Sequence, residues 1–129
     1  MEEALGLGAH HVLNSRDPEA IASAADSFDL LTSTVDVPLD WDGLLATLRR
    51  RGRFHVLGAV PEPLTFPMQS LMMTQRSVGS SPAGRPSDIA KMLDFAGHHG
   101  IHPVTETFSY DQINEAVEHL RDGKAALRI

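Results

Sequence analysis

The sequence has 129 residues, of which 42% are hydrophobic and 22% are charged, and its formal net charge is −6. These values are typical of one globular domain, and they argue against a nucleic-acid partner because phosphate binding requires a basic surface. The chain has no cysteine, which excludes disulfides, thiolate metal sites and thiol catalysis. It also has no apolar run of the ~18 residues that a membrane span requires, and its acidic N-terminus lacks the basic region of a signal peptide. We therefore expect a cytoplasmic protein.

The first part of the chain alternates helix signals with short apolar runs. Glu2–Leu7 is predicted to be the end of a helix that stops at Gly8, and His11–Asn14 is a short strand candidate. Asp17-Pro18-Glu19 predicts a helix start, because Asp caps the first turn and Pro fits the first helical position. Phe28–Thr34 is rich in apolar and β-branched residues and predicts a strand.

The next part predicts a helix followed by a buried strand. Apolar residues at i, i+3, i+4 and i+7 define one helix face, formed by Trp41, Leu44, Leu45 and Leu48. Gly52 is a plausible end for this helix, and Arg49–Arg51 would then be solvated charges in its last turn. The strand would run from Arg53 to Val60.

Beyond Pro61 the sequence predicts a short helix over 69–74, a strand over 76–80 and an extended segment over 101–108. A further helix face is formed by Ile89, Met92, Leu93 and Ala96. Ser109 and Gln112 have the spacing of a capping box that precedes a final helix. The last five residues, AALRI, are predicted to begin a last strand.

This alternation of strands and helices predicts an α/β fold with a mostly parallel, doubly wound sheet. Ligands of such sheets bind outside the carboxyl ends of the strands. Small residues occupy three successive strand ends, namely Ser33-Thr34, Gly58-Ala59 and Gly79-Ser80-Ser81. They favour a binding crevice, because small residues let a ligand approach the backbone closely. The alternative is that these residues only ease turns.

Other motifs do not support a catalytic site. Gly6-x-Gly8 is not a dinucleotide fingerprint, because it follows a helix rather than a strand. Ser81 nearly matches a nucleophile elbow, but Pro82 removes the amide that an oxyanion would need. His98 and His102 are four residues apart with Gly100 between them and no carboxylate at ligand spacing, which favours solvated histidines over a metal site.

Four segments together resemble the zinc-type alcohol dehydrogenases of the medium-chain dehydrogenase/reductase superfamily, in particular the cinnamyl-alcohol-dehydrogenase-like branch. They are EEALGLGAHHVLNS, FDLLTSTVDVPLDWDGLLATLRRRGRFHVLGA, SVGSSPAGR and FSYDQINEAVEHLRDGKAALRI. The resemblance implies that residues 1–129 are the C-terminal part of a Rossmann domain whose first two strands and glycine-rich turn would precede Met1. The catalytic zinc domain would precede it as well, so no catalytic or metal-binding residue is expected in this chain.

The resemblance also implies which residues meet a cofactor, NADP or NAD. The turn with Thr34 and Val35 would lie along the adenosine, two further segments would meet the nicotinamide, and an arginine would approach the pyrophosphate. The implied cofactor-binding residues are Thr34, Val35, Gly58, Ala59, Val60, Gly79, Ser80, Ser81 and Arg128. Zinc would be bound by the parent enzyme only.

Two functions remain open at this stage. The chain is either the cofactor-binding portion of an alcohol dehydrogenase, inert by itself, or a non-catalytic assembly module that self-associates. The resemblance further implies a homodimer through Leu64, Thr65 and Phe66, in the proline-rich segment PLTFP. Leu64 and Phe66 are expected to share one face, which would be exposed in a monomer.

Overall fold

The computed structural model describes residues 2–124 and divides into two compact units, Met1–Ala83 and Gly84–Ile129. In chain order the elements are α1 (Glu2–Gly6), α2 (Pro18–Ser23), β1 (Phe28–Ser33), α3 (Trp41–Ala46), β2 (Leu48–Val56), α4 (Met68–Met72), β3 (Ser77–Ser80), α5 (Pro86–His98), a 3₁₀ turn (Tyr110–Gln112) and α6 (Ile113–Arg121). The arginine at 128 and the predicted last strand lie outside the described residues.

The first unit contains a three-stranded sheet in the order β1-β2-β3, with both strand pairs parallel. Thr32 of β1 lies opposite His55 of β2, which in turn lies opposite Gly79 of β3. All three strands therefore end at the same edge of the sheet. Helices connect the strands, so the predicted α/β architecture with a parallel sheet is confirmed.

The core covers one face of this sheet. Trp41 and Leu45 of α3 pack on Leu48, Phe54 and Val56 of β2, and all five side chains are buried. The rings of Trp41 and Phe54 have centroids 6.0 Å apart. Alternation along the strands places Leu30 and Arg53 on the opposite face, where both are exposed.

The predicted end of the helix at Gly52 is wrong. The helix ends at Ala46, and Leu48 already pairs with Phe28, so Gly52 lies within β2. The register then shifts, because Leu30 pairs with Arg53. The irregular segment between these pairs includes Arg51 at φ 66°, whose N–H donates to the carbonyl of Thr74 over 2.9 Å. Gly52 therefore belongs to a bulge in a strand and does not end a helix.

The arginines of this bulge are exposed, as predicted, but they lie in a strand rather than at a helix end and they form contacts. Arg49 forms an ion pair with Asp29 at 3.1 Å, and Arg51 Nε donates to Gln75 Oε1 over 3.0 Å. The strand also ends earlier than predicted, at Val56. It stops there because the N–H groups of Leu57 and Gly58 both donate to the carbonyl of Ser33, at 2.7 and 3.2 Å, which turns the chain.

The strand candidate His11–Asn14 does not form a strand in this structure. A strand needs a neighbour for its backbone hydrogen bonds, and within the described residues β1 pairs with β2 alone. The signals around the candidate are nevertheless confirmed. Gly8 adopts φ 99° directly after α1, and Asp17 accepts hydrogen bonds from the N–H groups of Glu19 and Ala20 at 3.0 and 3.3 Å.

The second unit contains α5, a segment over 101–109 without regular secondary structure, the 3₁₀ turn and α6. Gly100 adopts φ 62° after α5, and Gly123 adopts φ 65° after α6, as expected for glycines that end helices. The N–H and hydroxyl of Ser109 both donate to Gln112 Oε1, at 3.4 and 2.8 Å, which confirms the pairing predicted from their spacing. The Ser109 hydroxyl also lowers the pKa of Asp111.

Candidate functional site

A groove of about 420 Å³ lies at the carboxyl ends of β2 and β3. Five of the residues predicted to meet a cofactor line it, and three apolar side chains complete it. The lining consists of Val56, Gly58, Ala59, Val60, Leu64, Val78, Gly79 and Ser80. The structure therefore brings together two segments that are about twenty residues apart in sequence, at the position where parallel sheets bind ligands.

Gly58 joins this groove to the turn at Thr34 and Val35. A Cβ atom placed on Gly58 would lie 1.8 Å from the carbonyl oxygen of Val35 and 3.0 Å from the carbonyl carbon of Thr34. The two backbones are thus in direct contact, and only glycine fits between them. Thr34 and Val35 line a separate, smaller cavity of about 180 Å³ beside β1, together with Ser33.

Ser81 does not line the groove, and its side chain contacts the sheet instead. The Ser81 Oγ lies 2.9 Å from His55 Nε2, at hydrogen-bonding distance. No motif in the sequence singled out His55. The alternation of residues along β2 could have indicated it, because this pattern places His55 and Arg53 on the same face of the sheet, across from β3.

The remaining groove residues were also missed, namely Val56, Val78 and Leu64. Leu64 was instead predicted to be exposed together with Phe66, and that prediction is wrong. Both side chains are half-buried and pack against the core cluster around Phe54, whereas Thr65 between them is exposed. The three prolines around them gave no indication that this segment folds back onto the sheet.

The second unit has a cavity of its own, of about 380 Å³. It is lined by Thr105, Glu106, Thr107, Phe108, Ser109, Tyr110, Ile113 and Ala116. Behind it, His119 Nε2 lies 2.9 Å from Glu106 Oε2, and the rings of His119 and Phe108 have centroids 5.6 Å apart. No motif in the sequence predicted this cavity.

Residues 2–124 also lack two features. They contain no group of three or more His, Asp or Glu side chains that could hold a metal ion. None of their helices has the length and apolar character that crossing a membrane demands.

Comparison with known proteins identifies close relatives. The chain is 55% identical to the aldehyde reductase AdhA of Synechocystis over 98% of its own length and 38% of that protein. It is 40% identical to the probable formaldehyde dehydrogenase AdhA of Bacillus subtilis, over 92% of its own length and 34% of that protein. The chain thus spans little more than a third of the length of the curated relatives it matches.

The fold has close counterparts among solved structures. The cinnamyl alcohol dehydrogenase SbCAD4 of Sorghum bicolor superposes with a TM-score of 0.89 at 34% identity, over 96% of this chain and 35% of that one. A family profile described as zinc-binding dehydrogenase matches residues 1–98. These findings agree with the resemblance found in the sequence and with the Rossmann-like arrangement of the sheet. The chain therefore belongs to the zinc-binding dehydrogenase family.

Proposed function

We propose that residues 1–129 are the C-terminal part of the nicotinamide-dinucleotide-binding domain of a cytoplasmic zinc-type alcohol dehydrogenase. The parent enzyme would transfer a hydride between NADP(H) or NAD(H) and an alcohol/aldehyde pair, in line with the names of the aldehyde reductase and cinnamyl alcohol dehydrogenase relatives. The observation that carries the proposal is the groove at the carboxyl ends of β2 and β3, which collects Gly58, Ala59, Val60, Gly79 and Ser80.

The dimensions and chemistry of this groove suit the nicotinamide end of a dinucleotide. A volume of about 420 Å³ is within the range of small-molecule sites. Val56, Val78 and Leu64 supply apolar walls for a flat ring. Gly58 and Gly79 place no side chain in the groove, so a flat ring could approach the backbone closely there. Thr34 and Val35 would meet the adenosine side, and Arg128, outside the described residues, would approach the pyrophosphate.

The zinc ion of the proposed enzyme would be held by another part of the protein. The chain has no cysteine, and residues 2–124 offer no cluster of metal-binding side chains. When bound, zinc polarises the substrate oxygen, and the dinucleotide carries the hydride. The residues of this chain would bind and orient the nicotinamide and exclude water from one side of it.

Binding without turnover is the expected result for the 129-residue chain. Titration calorimetry with NADPH and NADH should give a Kd in the range of ~1–100 μM for at least one of them. The same preparation, freed of zinc, should not oxidise alcohols with NADP. Absence of binding of either dinucleotide up to millimolar concentration would reject the cofactor module and favour the assembly module. Alcohol oxidation by the zinc-free chain would contradict the proposal that another part of the protein holds the catalytic zinc.

We also propose that the protein forms a homodimer through the segment Leu64-Thr65-Phe66. This segment lies outside the described sheet, between Pro63 and Pro67, and prolines are tolerated at a sheet edge. Leu64 and Phe66 face the core, which leaves Thr65 and the backbone of the segment facing outward. Pairing across a two-fold axis would then use this backbone, and the Thr65 side chains of the two copies would come close together.

Replacing Thr65 with aspartate should weaken this dimer without disturbing the core, because the side chain is exposed. Like charges facing each other across strands cost about 1 kcal/mol, which corresponds to roughly a fivefold higher dissociation constant. Sedimentation at ~100 μM should show wild-type dimers, since a dimer with a Kd of ~1 μM would be mostly formed. Thr105→Asp, the same change at an exposed site of the second unit, is the control. A wild type that sediments as a monomer at this concentration would rule the interface out.

A further inference from the structure

His55 occupies the centre of the sheet and yet contacts the segment that follows the neighbouring strand. It lies in β2 between Thr32 of β1 and Gly79 of β3. Its ring reaches one residue beyond the end of β3, where Nε2 lies 2.9 Å from Ser81 Oγ. Among the side-chain hydrogen bonds of the described residues, this is the one that ties residues 81–84 to the sheet.

Gly79 lies beside the ring of His55. A Cβ atom on Gly79 would lie 3.7 Å from His55 Nδ1 and 3.5 Å from a guanidinium nitrogen of Arg53. The imidazole thus rests directly on the backbone of β3. A methyl group at position 79 would be in ordinary van der Waals contact with this ring.

The bonded serine adjoins a wall of the groove. Ser80 lines the groove, and Ser81 is the next residue. The hydrogen bond to Ser81 therefore also restrains the peptide that joins the two serines. Residues 81–84 are exposed, and Pro82 has no N–H with which to form a backbone hydrogen bond. Without the imidazole, the chain after Ser80 would lose its side-chain anchor to the sheet.

We infer that His55 is a positioning residue that, through its hydrogen bond to Ser81, holds the adjacent Ser80, which lines the groove, in the orientation that receives the nicotinamide end of the dinucleotide. The inference rests on the proposed function, because it assigns His55 a role at that same site. His55 does not line the groove, so it acts through Ser81 rather than by touching the cofactor.

Three substitutions at position 55 test this role in the 129-residue chain, with NADPH and NADH as titrants. Leu removes the hydrogen bond, Gln retains an amide near the position of Nε2, and Asn carries the same amide on a stem one methylene shorter. A net hydrogen bond corresponds to about a three- to tenfold change in affinity. His55→Leu and His55→Asn should therefore raise Kd about three- to tenfold, whereas His55→Gln should stay within about twofold of wild type.

The same effect should disappear when the partner is absent. Ser81→Ala should itself raise Kd, and adding His55→Asn to Ser81→Ala should raise it no further, because the two residues act through one bond. Leu30→Ala, on the same sheet face but without contact to Ser81, should bind like wild type. If His55→Leu does not fold, the comparison of His55→Gln with His55→Asn still tests the role of His55.

The possible failures separate this inference from the proposed function. If the wild type binds a dinucleotide and His55→Asn binds equally well, the role of His55 is rejected and the proposed function stands. Equal losses for His55→Gln and His55→Asn would also reject it, because a general structural role does not distinguish the two amides. If the wild type binds neither dinucleotide, both the proposed function and this inference are overturned.

Discussion

Replacing Phe54 with alanine is expected to lower the free energy of unfolding of the first unit by about 4 kcal/mol. Phe54 is 1% exposed near the carboxyl end of β2 and packs against Trp41 on the covered face of the sheet. The smaller side chain would leave a cavity among residues of both α3 and β2, which relaxes only in part. Urea denaturation followed by the fluorescence of Trp41, the single tryptophan, measures this loss directly.

Phe95→Ala provides the matched control for this prediction. Phe95 lies in α5 and is 59% exposed, with a single ring contact to His99. The same chemical change should therefore cost no more than about 1 kcal/mol when the unfolding of its own helix is followed by circular dichroism. Losses of similar size at Phe54 and Phe95 would contradict the placement of the core on one face of the sheet.

Replacing Gly58 with alanine is expected to destabilise the first unit by about 3 kcal/mol or more, at the upper end for overpacking. The new methyl group would be 1.8 Å from the carbonyl oxygen of Val35. Because the clash is with backbone, no side-chain rotation relieves it, and the chain after β2 must move away from the Thr34-Val35 turn. The groove would open, so we expect dinucleotide binding to be lost together with stability.

Gly97→Ala tests whether this cost comes from the contact rather than from glycine replacement in general. A Cβ atom on Gly97 meets no atom within 4 Å, and the residue lies in α5. Alanine should therefore stabilise that helix by up to about 1 kcal/mol through its higher helix propensity. Wild-type stability and binding in Gly58→Ala would show that the turn at Thr34 and Val35 does not pack against Gly58 as described.

Local signals in the sequence were sufficient for most of the elements. Asp17 and Pro18 start α2 because capping and a fixed φ act within one turn. Gly8 and Gly123 end helices because left-handed backbone favours glycine wherever it occurs. The apolar runs before Thr34 and Val60 identified two strands of a parallel sheet, and the small residues after them indicated the edge at which we propose that a ligand binds.

The register of the strands and the partners of each side chain were decided by the tertiary structure. Gly52 has the sequence features of a helix end. Pairing with β1, however, places Leu48 in the sheet, and the arginines that follow Leu48 form a bulge. His11–Asn14 has the composition of a strand, but it finds no neighbouring strand among the described residues. Hydrogen bonding between strands is non-local, so a residue's own sequence neighbours do not encode it.

The sequence by itself indicated the fold class through local periodicity and the family through the resemblance of four segments. It also pointed to the edge of the sheet at which we propose that a ligand binds. Only the tertiary structure decided how that edge is built. It placed Leu64 and Phe66 against the core, set Gly58 on the Thr34-Val35 turn and brought His55 to Ser81, 26 residues further along the chain. Each of these contacts depends on packing between segments far apart in the chain, which no local pattern specifies.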